Sequence, residues 1–355
     1  MSRDLRAVIR GGRGLGLAIA TALITGGLAV VGALWLDLPL RDPDGFLGPS
    51  WTRLPLILAL FIAADLVPRV VMRADGVRGV SKAFKQVVHE RWPLQRLIVV
   101  LVALTSFYIT YVGYRNLKSF LPVARQQSED MVLRASDQML AFGTNPAEVL
   151  HDVFGTGVWA HILSWVYISF LFFVPISLAA ALVWSRNVSL GLWYTTALCL
   201  NWAMGTASYY LLPALGPFAV RSWNYADLPT TGVSQLQQGM LNARAGVMAD
   251  PYATASVQSI AAFASLHTSI VFTAALIVHF AGFPRIVRAT MWVFFALTLV
   301  STIYVGWHYI IDDIAGLVIG AVSVAVAGVA TRGAVDHMPG LASAHDGGRE
   351  LASSR

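Results

Sequence analysis

Three residues have the types and spacing for covalent chemistry: His267, in Ser265-Leu266-His267, and His308 and Asp312, in Gly306-Trp307-His308-Tyr309-Ile310-Ile311-Asp312-Asp313. His308 and Asp312 are four residues apart, so on a helix or turn they face the same way. A carboxylate so placed can accept a hydrogen bond from one imidazole nitrogen. That bond fixes the tautomer and leaves the other nitrogen free to attack. His267, from a different segment, offers a second imidazole for proton transfer. Each residue alone also fits an interfacial side chain at a helix end; the three at one depth point to a site. Residue types alone leave open a metal centre and the proton or substrate site of a transporter.

The depth follows from the segments that carry them. Hydrophobic residues make up 56% of the 355 positions and charged residues 12%, against roughly 25% charged in soluble domains. The apolar residues come in blocks long enough to cross a bilayer, which takes about 20 residues per helix. We read spans at 15–36, 54–72, 97–116, 158–184, 189–212, 258–280, 289–309 and 312–331. The expected fold is an all-α polytopic membrane protein of about eight transmembrane helices. Residues 1–96 hold two spans and a basic amphipathic connection at 80–92. Residues 97–331 hold a six-helix unit with long loops at 117–156 and 213–257, and 332–355 reads as a disordered tail. The first apolar stretch is too long for a signal-peptide core and has no cleavage site, so it reads as a retained span.

With the N-terminus in the cytoplasm, 17 of the 25 Lys and Arg residues fall on that side, seven of them between Arg69 and Arg96. This is the positive-inside pattern. It puts both termini in the cytoplasm and His267, His308 and Asp312 at the extracytoplasmic face, with the cell membrane as the expected location. The net charge of +6 is then a topology signal and not a nucleic-acid patch. Cys199 is the only cysteine, which rules out an internal disulfide. Transporter sites usually lie near the midplane, with broken helices and repeats. A polar cluster at one face, with no visible repeat, favours an enzyme.

The pattern Ser265-x-His267, then Ser301-x6-His308-x3-Asp312, resembles the type 2 phosphatidic acid phosphatase superfamily, whose motifs are Pro-Ser-Gly-His and Ser-Arg-x5-His-x3-Asp. Leu266 stands at the family's Gly and Thr302 at its phosphate-binding Arg. Both departures look like the sphingolipid-synthase branch, particularly the inositol phosphorylceramide synthases. The Pro-rich stretch Tyr210-Leu211-Leu212-Pro213-Ala214-Leu215-Gly216-Pro217 is similar to that branch too. The resemblance implies metal-independent, cofactor-free chemistry. His308 would form a phosphohistidine, Asp312 would orient it, and His267 would protonate the leaving oxygen and then deprotonate the acceptor. The donor would be a lipid phosphate or phospholipid, and the acceptor a lipid or saccharide hydroxyl or water. Transferase and phosphatase differ only in that acceptor; the two departures favour the transferase.

Phosphoryl transfer needs cations around the phosphate, and Thr302 leaves one expected cation missing. Lys118-x6-Arg125 reproduces part of the family's first motif, with Gln126 in place of its Pro. Arg115 lies one turn before Lys118 on the same helix face. Arg221 follows Pro217 in the loop leading to His267, and Arg244 lies further along that loop. Arg221, Arg115, Lys118 and Arg244 are therefore the candidate phosphate-binding residues.

Overall fold

A computed structural model describes residues 13–332, which fold as thirteen α-helices with no strand among them. The long helices are α1 (Arg13–Leu36), α2 (Ser50–Arg73), α4 (Leu94–Ala124), α7 (Val158–Ala179), α8 (Val188–Leu211), α11 (Leu266–Phe280), α12 (Arg285–Tyr304) and α13 (Ile310–Arg332). Shorter helices connect them: α3 (Gly76–Arg91), α5 (Asp130–Leu140), α6 (Pro146–Phe154), α9 (Pro217–Val220) and α10 (Gly232–Ala249). Each of the eight expected spans is a helix, and six are long and apolar enough to cross a membrane. The chain is an integral membrane protein. The expected disordered tail lies outside the described residues, apart from Arg332.

Two spans depart from expectation. The segment expected to span 258–280 is helical only from Leu266, which leaves fifteen apolar residues in α11. Residues 257–265 instead form a non-helical segment inside the protein, bent at 263–264, with Gln258, Ile260, Ala262, Ala264 and Ser265 all buried. The other is α8, which has the length but not the hydropathy of the six. It is the central helix, packed on α1, α4, α11 and α13. Because protein and not lipid surrounds it, its polar residues find partners inside the bundle. Asn201 donates to Thr273 at 3.0 Å and to the Ala197 carbonyl at 2.7 Å, and accepts from Ser269.

Small residues let the helices approach. A Cβ on Gly113 of α4 would sit 2.9 Å from the backbone of Thr25 on α1, and one on Gly205 of α8 would lie 2.7 Å from Leu266. Leu266 thus fills the space that Gly205 leaves open, which accounts for a large residue beside His267.

Helix α3 matches the expected amphipathic connection, and its apolar face buries Ala83 and Val87 against the bundle. There Asp65 of α2 is fully buried and paired. Arg91 Nη2 lies 2.7 Å and Arg69 Nη1 2.6 Å from its Oδ1. Arg91 Nε donates to Oδ2 at 3.3 Å and the Trp92 indole at 3.1 Å. Arg91 also donates to the carbonyl of Trp184, in the π turn Ala180–Trp184 that ends α7. The i,i+4 pair of Asp65 with Arg69 is one arm of this larger knot.

Candidate functional site

His308 sits in a five-residue turn, 305–309, between α12 and α13. The turn is pinned by backbone bonds from Trp307 and His308 to the Thr302 carbonyl, at 3.0 and 3.3 Å. Gly306 adopts φ 75°, where a side chain is strained, and a Cβ there would strike the Tyr225 ring. The Pro-rich loop closes over the turn: Phe218 donates its N–H to the Gly306 carbonyl at 2.8 Å, and Gly216, φ 91°, passes close to the Trp307 carbonyl.

His267 lies in the first turn of α11. Ser265 caps that helix by accepting from the Thr268 N–H. The His267 ring stacks on Tyr167 at 4.2 Å between centroids and touches Phe170 at 4.1 Å. Tyr167 in turn stacks on Trp307, nearly parallel at 5.5 Å, and Phe218 closes the far face of that indole. Aromatic packing therefore holds the His267 imidazole and the Trp307 indole next to His308. The ring centroids of His267 and His308 are 6.1 Å apart.

Asp312 is fully buried in the first turn of α13, where a carboxylate suits the helix dipole. Its Oδ2 accepts from the Tyr309 N–H at 2.9 Å and lies 3.4 Å from His308 Nδ1. That is ion-pair distance without hydrogen-bond alignment, so the expected bond between imidazole and carboxylate is a contact here. His308 Nδ1, His267 Nε2 and Asp312 Oδ1 are all buried without a hydrogen-bond partner.

Beside this cluster runs a cavity of about 700 Å³, lined by His267, His308, Arg115, Lys118, Tyr167 and Trp307 at one end. Lys118 is 8% exposed and held by Tyr114, whose hydroxyl is 3.3 Å from Nζ, and by the Tyr209 ring at 4.7 Å. Of the four expected phosphate-binding residues, then, the structure brings Arg115 and Lys118 to the cavity of the two histidines. Arg221 lies at a second cavity, a polar one of about 380 Å³ that it lines with Arg134, Asp137, Tyr225 and Tyr309 and that His308 also borders. Arg244 lines neither cavity; it is half-buried in α10, where desolvation lowers its guanidinium. Arg125 donates to the Tyr210 carbonyl at 2.7 Å and joins the Pro-rich loop instead of the site.

Several residues about the site carried no signal in the sequence. Asp313 is buried, with Thr268 donating to Oδ1 at 2.6 Å and Thr302 to Oδ2 at 2.9 Å. Position 302 thus faces a carboxylate, with its hydroxyl between that group and the Leu299 carbonyl at 2.8 Å. Asp130 of α5 ties the Pro-rich loop to the His308 turn: it accepts from the N–H groups of Leu215 and Gly216 at 2.8 and 2.9 Å and from the Tyr309 hydroxyl at 3.0 Å. Asp137, two helical turns further on, accepts from the Ile311 N–H at 3.4 Å. Burial, together with the nearby Asp312 charge, pushes its carboxyl up to about 7. The aspartate in Ser-Asp-Gln, Asp137, gives no hint of this in sequence, because its partners come from α13. Among the described residues no group of three or more His, Cys, Asp or Glu is placed to hold a metal ion.

A family model described as the PAP2 superfamily matches residues 133–326, from α5 through most of α13. No curated protein and no solved structure matches the chain.

Proposed function

Since the chain belongs to the PAP2 superfamily, which implies phosphatase or phosphotransferase activity on lipid phosphates, we propose that it is a phosphotransferase working through a phosphohistidine at His308. It would move a phosphoryl or phospho-headgroup between lipids at the extracytoplasmic face. The observation that carries this reading is the convergence of His267, His308, Lys118 and Arg115 on one cavity, with Asp312 3.4 Å behind His308.

In the first step a ring nitrogen of His308 attacks phosphorus. The bond from phosphorus to the lipid oxygen breaks, and that oxygen takes a proton from His267. Arg115 and Lys118 stabilise the charge on the non-bridging oxygens, in place of the arginine absent at Thr302. The second step reverses the first: an acceptor hydroxyl gives its proton to His267, its oxygen attacks phosphorus and the phosphorus–nitrogen bond breaks. Displacement at phosphorus runs roughly in line, so the acceptor must occupy the place the first lipid oxygen vacated. Donor and acceptor therefore share the histidine cavity in turn, and the kinetics are ping-pong. A cavity that is apolar away from its cationic end suits a hydroxyl borne by a lipid, and the Leu266 and Thr302 departures point the same way.

A second reading, a lipid phosphate phosphatase, draws support from the polar cavity that also reaches His308, since water could arrive there. One experiment separates these and tests both. The purified full chain is incubated with a lipid phosphate carrying labelled phosphorus, with and without excess lipid alcohol, and quenched. We expect acid-labile label on His308 and, with the alcohol present, a labelled lipid product exceeding inorganic phosphate. Label on another residue, or none in any condition, overturns the mechanism; inorganic phosphate alone favours the phosphatase.

A further inference from the structure

The histidine cavity extends far beyond the reacting groups. From Lys118 to Leu101 it follows α4 for about 25 Å, at 1.5 Å rise per residue. Below the cationic end its walls are Phe107, Leu104 and Leu101 of α4, Phe170, Val174 and Leu178 of α7, and one face of α2.

Helix α2 is built to stand off from the bundle. At one end the Asp65 knot ties it to α3, to Trp92 just beyond α3, and to the π turn. At the other end Arg53 bonds Asp42 at 3.0 Å and the Tyr108 hydroxyl of α4 at 2.9 Å, while Tyr111 holds Asp44. Between these ties α2 turns Leu54, Leu58 and Phe61 toward the cavity. Leu56 and Leu60, 62% and 59% exposed, point the other way. Between these two polar latches, Arg53 and Asp65, α2 runs for about 18 Å, and the cavity beside it is mainly apolar.

We propose that α2, which lies outside the family match, is the outer wall of a binding cavity for the hydrocarbon chain of a lipid phosphate. The N-terminal helices then decide which chains the site accepts. The occupant follows from the charge pattern: Lys118, Arg115 and two imidazoles at one end take a phosphate, and the mainly apolar walls beyond, crossed at one level by the Arg53, Asp44 and Tyr108 latch, take a chain in continuity with it. The inference rests on the phosphate chemistry proposed above for the identity of the head group, but the chain cavity can be tested without turnover.

The test uses the full chain in detergent with hexadecyl phosphate carrying a diazirine near the chain terminus, followed by peptide mapping. In parallel, turnover of hexadecyl and butyl phosphate is compared in the parent, Leu58→Trp and Leu60→Trp. We expect crosslinks on the cavity face of α2 and on α7, about Leu58, Phe61 and Leu178. We also expect the hexadecyl-to-butyl ratio of kcat/KM to fall at least tenfold in Leu58→Trp and to stay within twofold in Leu60→Trp, whose added bulk faces outward. Crosslinks confined to outward residues such as Leu56, or equal ratios in the two variants, overturn the proposal. Crosslinks in the cavity with no turnover of either phosphate uphold the chain cavity and sink the catalytic reading instead. The labelling arm uses the unsubstituted chain, so it decides the matter even if a tryptophan variant fails to fold.

Discussion

Two buried aspartates in this chain, Asp65 and Asp312, are equally inaccessible and differently served. At Asp65 both carboxylate oxygens meet cations or an indole N–H, from Arg69, Arg91 and Trp92. At Asp312 one oxygen has a backbone donor and a histidine contact, and the other has no partner. A buried charge costs stability unless it is paired and hydrogen-bonded. The Asp65 knot answers that cost with local partners and joins α2 to α3, to Trp92 and to the π turn that ends α7. The Asp312 cluster keeps imidazole and carboxylate atoms unpartnered next to a cavity, as a site that completes its bonding with a ligand would. Burial of charge thus has two meanings here, and the satisfaction of its partners tells them apart.

The sharpest break between the two regions is expected at the nucleophile. His308→Ala should lower turnover by about 10³-fold or more, the scale seen when a covalent catalyst loses its nucleophile, with the melting temperature held within a few degrees. Residual turnover near the parent's would remove His308 from the mechanism. His267→Ala should lose most turnover of an alkyl phosphate but recover its first step with a nitrophenyl ester, whose leaving oxygen needs little protonation.

The two aspartates make the matched pair. Asp312→Asn should cost about 10²–10⁴-fold in turnover through a wrongly held imidazole and little stability. Asp65→Asn should do the reverse. Breaking a buried pair costs about 3–5 kcal/mol, enough to lower the melting temperature by ~10 °C, with turnover per folded molecule kept. If both variants lose stability alike and activity alike, the contrast drawn here is wrong. On a smaller scale, Lys118→Ala and Arg115→Ala should each lower kcat/KM at least tenfold, about 1.4 kcal/mol of transition-state stabilisation. Arg244→Ala, which lines neither cavity, should change it less than threefold.

Much of this arrangement was legible in the sequence, for identifiable reasons. Spans that face lipid announce themselves by hydropathy, as α1, α7 and α13 do. The i,i+4 spacing placed Asp312 against His308. The limits of α11 were not legible, because a non-helical apolar segment buried in protein has the same composition as a buried helix. Nor was the 18-residue helix α10, which lies in a loop of mixed polarity. Asp130 and Asp313 gave no sign because Asp130 meets Leu215, Gly216 and Tyr309, 85 or more residues away, and Asp313 meets Thr302 and Thr268, 11 and 45 residues away on other helices. Arg221 and Arg244 look alike in sequence, as basic residues of one loop; only the folded loop separates them. Spacing reports local geometry, and the sharing of a cavity is not local.

Asp137 provides the mildest test, because it stands between the two extremes. It is a buried carboxylate with one long backbone bond from Ile311 and no cation paired to it. Burial raises it first, the Asp312 charge adds to that, and the bond from Ile311 works against both, leaving it at about 7 against an ordinary 3.8. A carboxyl raised in the folded state holds its proton more tightly there than in the unfolded chain. Between about pH 4 and 7 the folded state therefore binds more protons, and stability falls as pH rises through that window. Above pH 7 the penalty is complete; below pH 4 it is absent. Asp137→Asn removes the titration, so its melting temperature should match the parent's near pH 4 and exceed it by a few degrees at pH 8, since each ~1 kcal/mol is worth about 2–4 °C in a chain of this size or somewhat smaller. Differencing parent and variant at each pH cancels every other titrating group to first order. The increment should shrink in an Asp312→Asn background, where the neighbouring charge is gone. A variant that tracks its parent at every pH would mean that Asp137 finds a partner as good as those of Asp65, and that the end carrying His308 is less starved of partners than its geometry indicates.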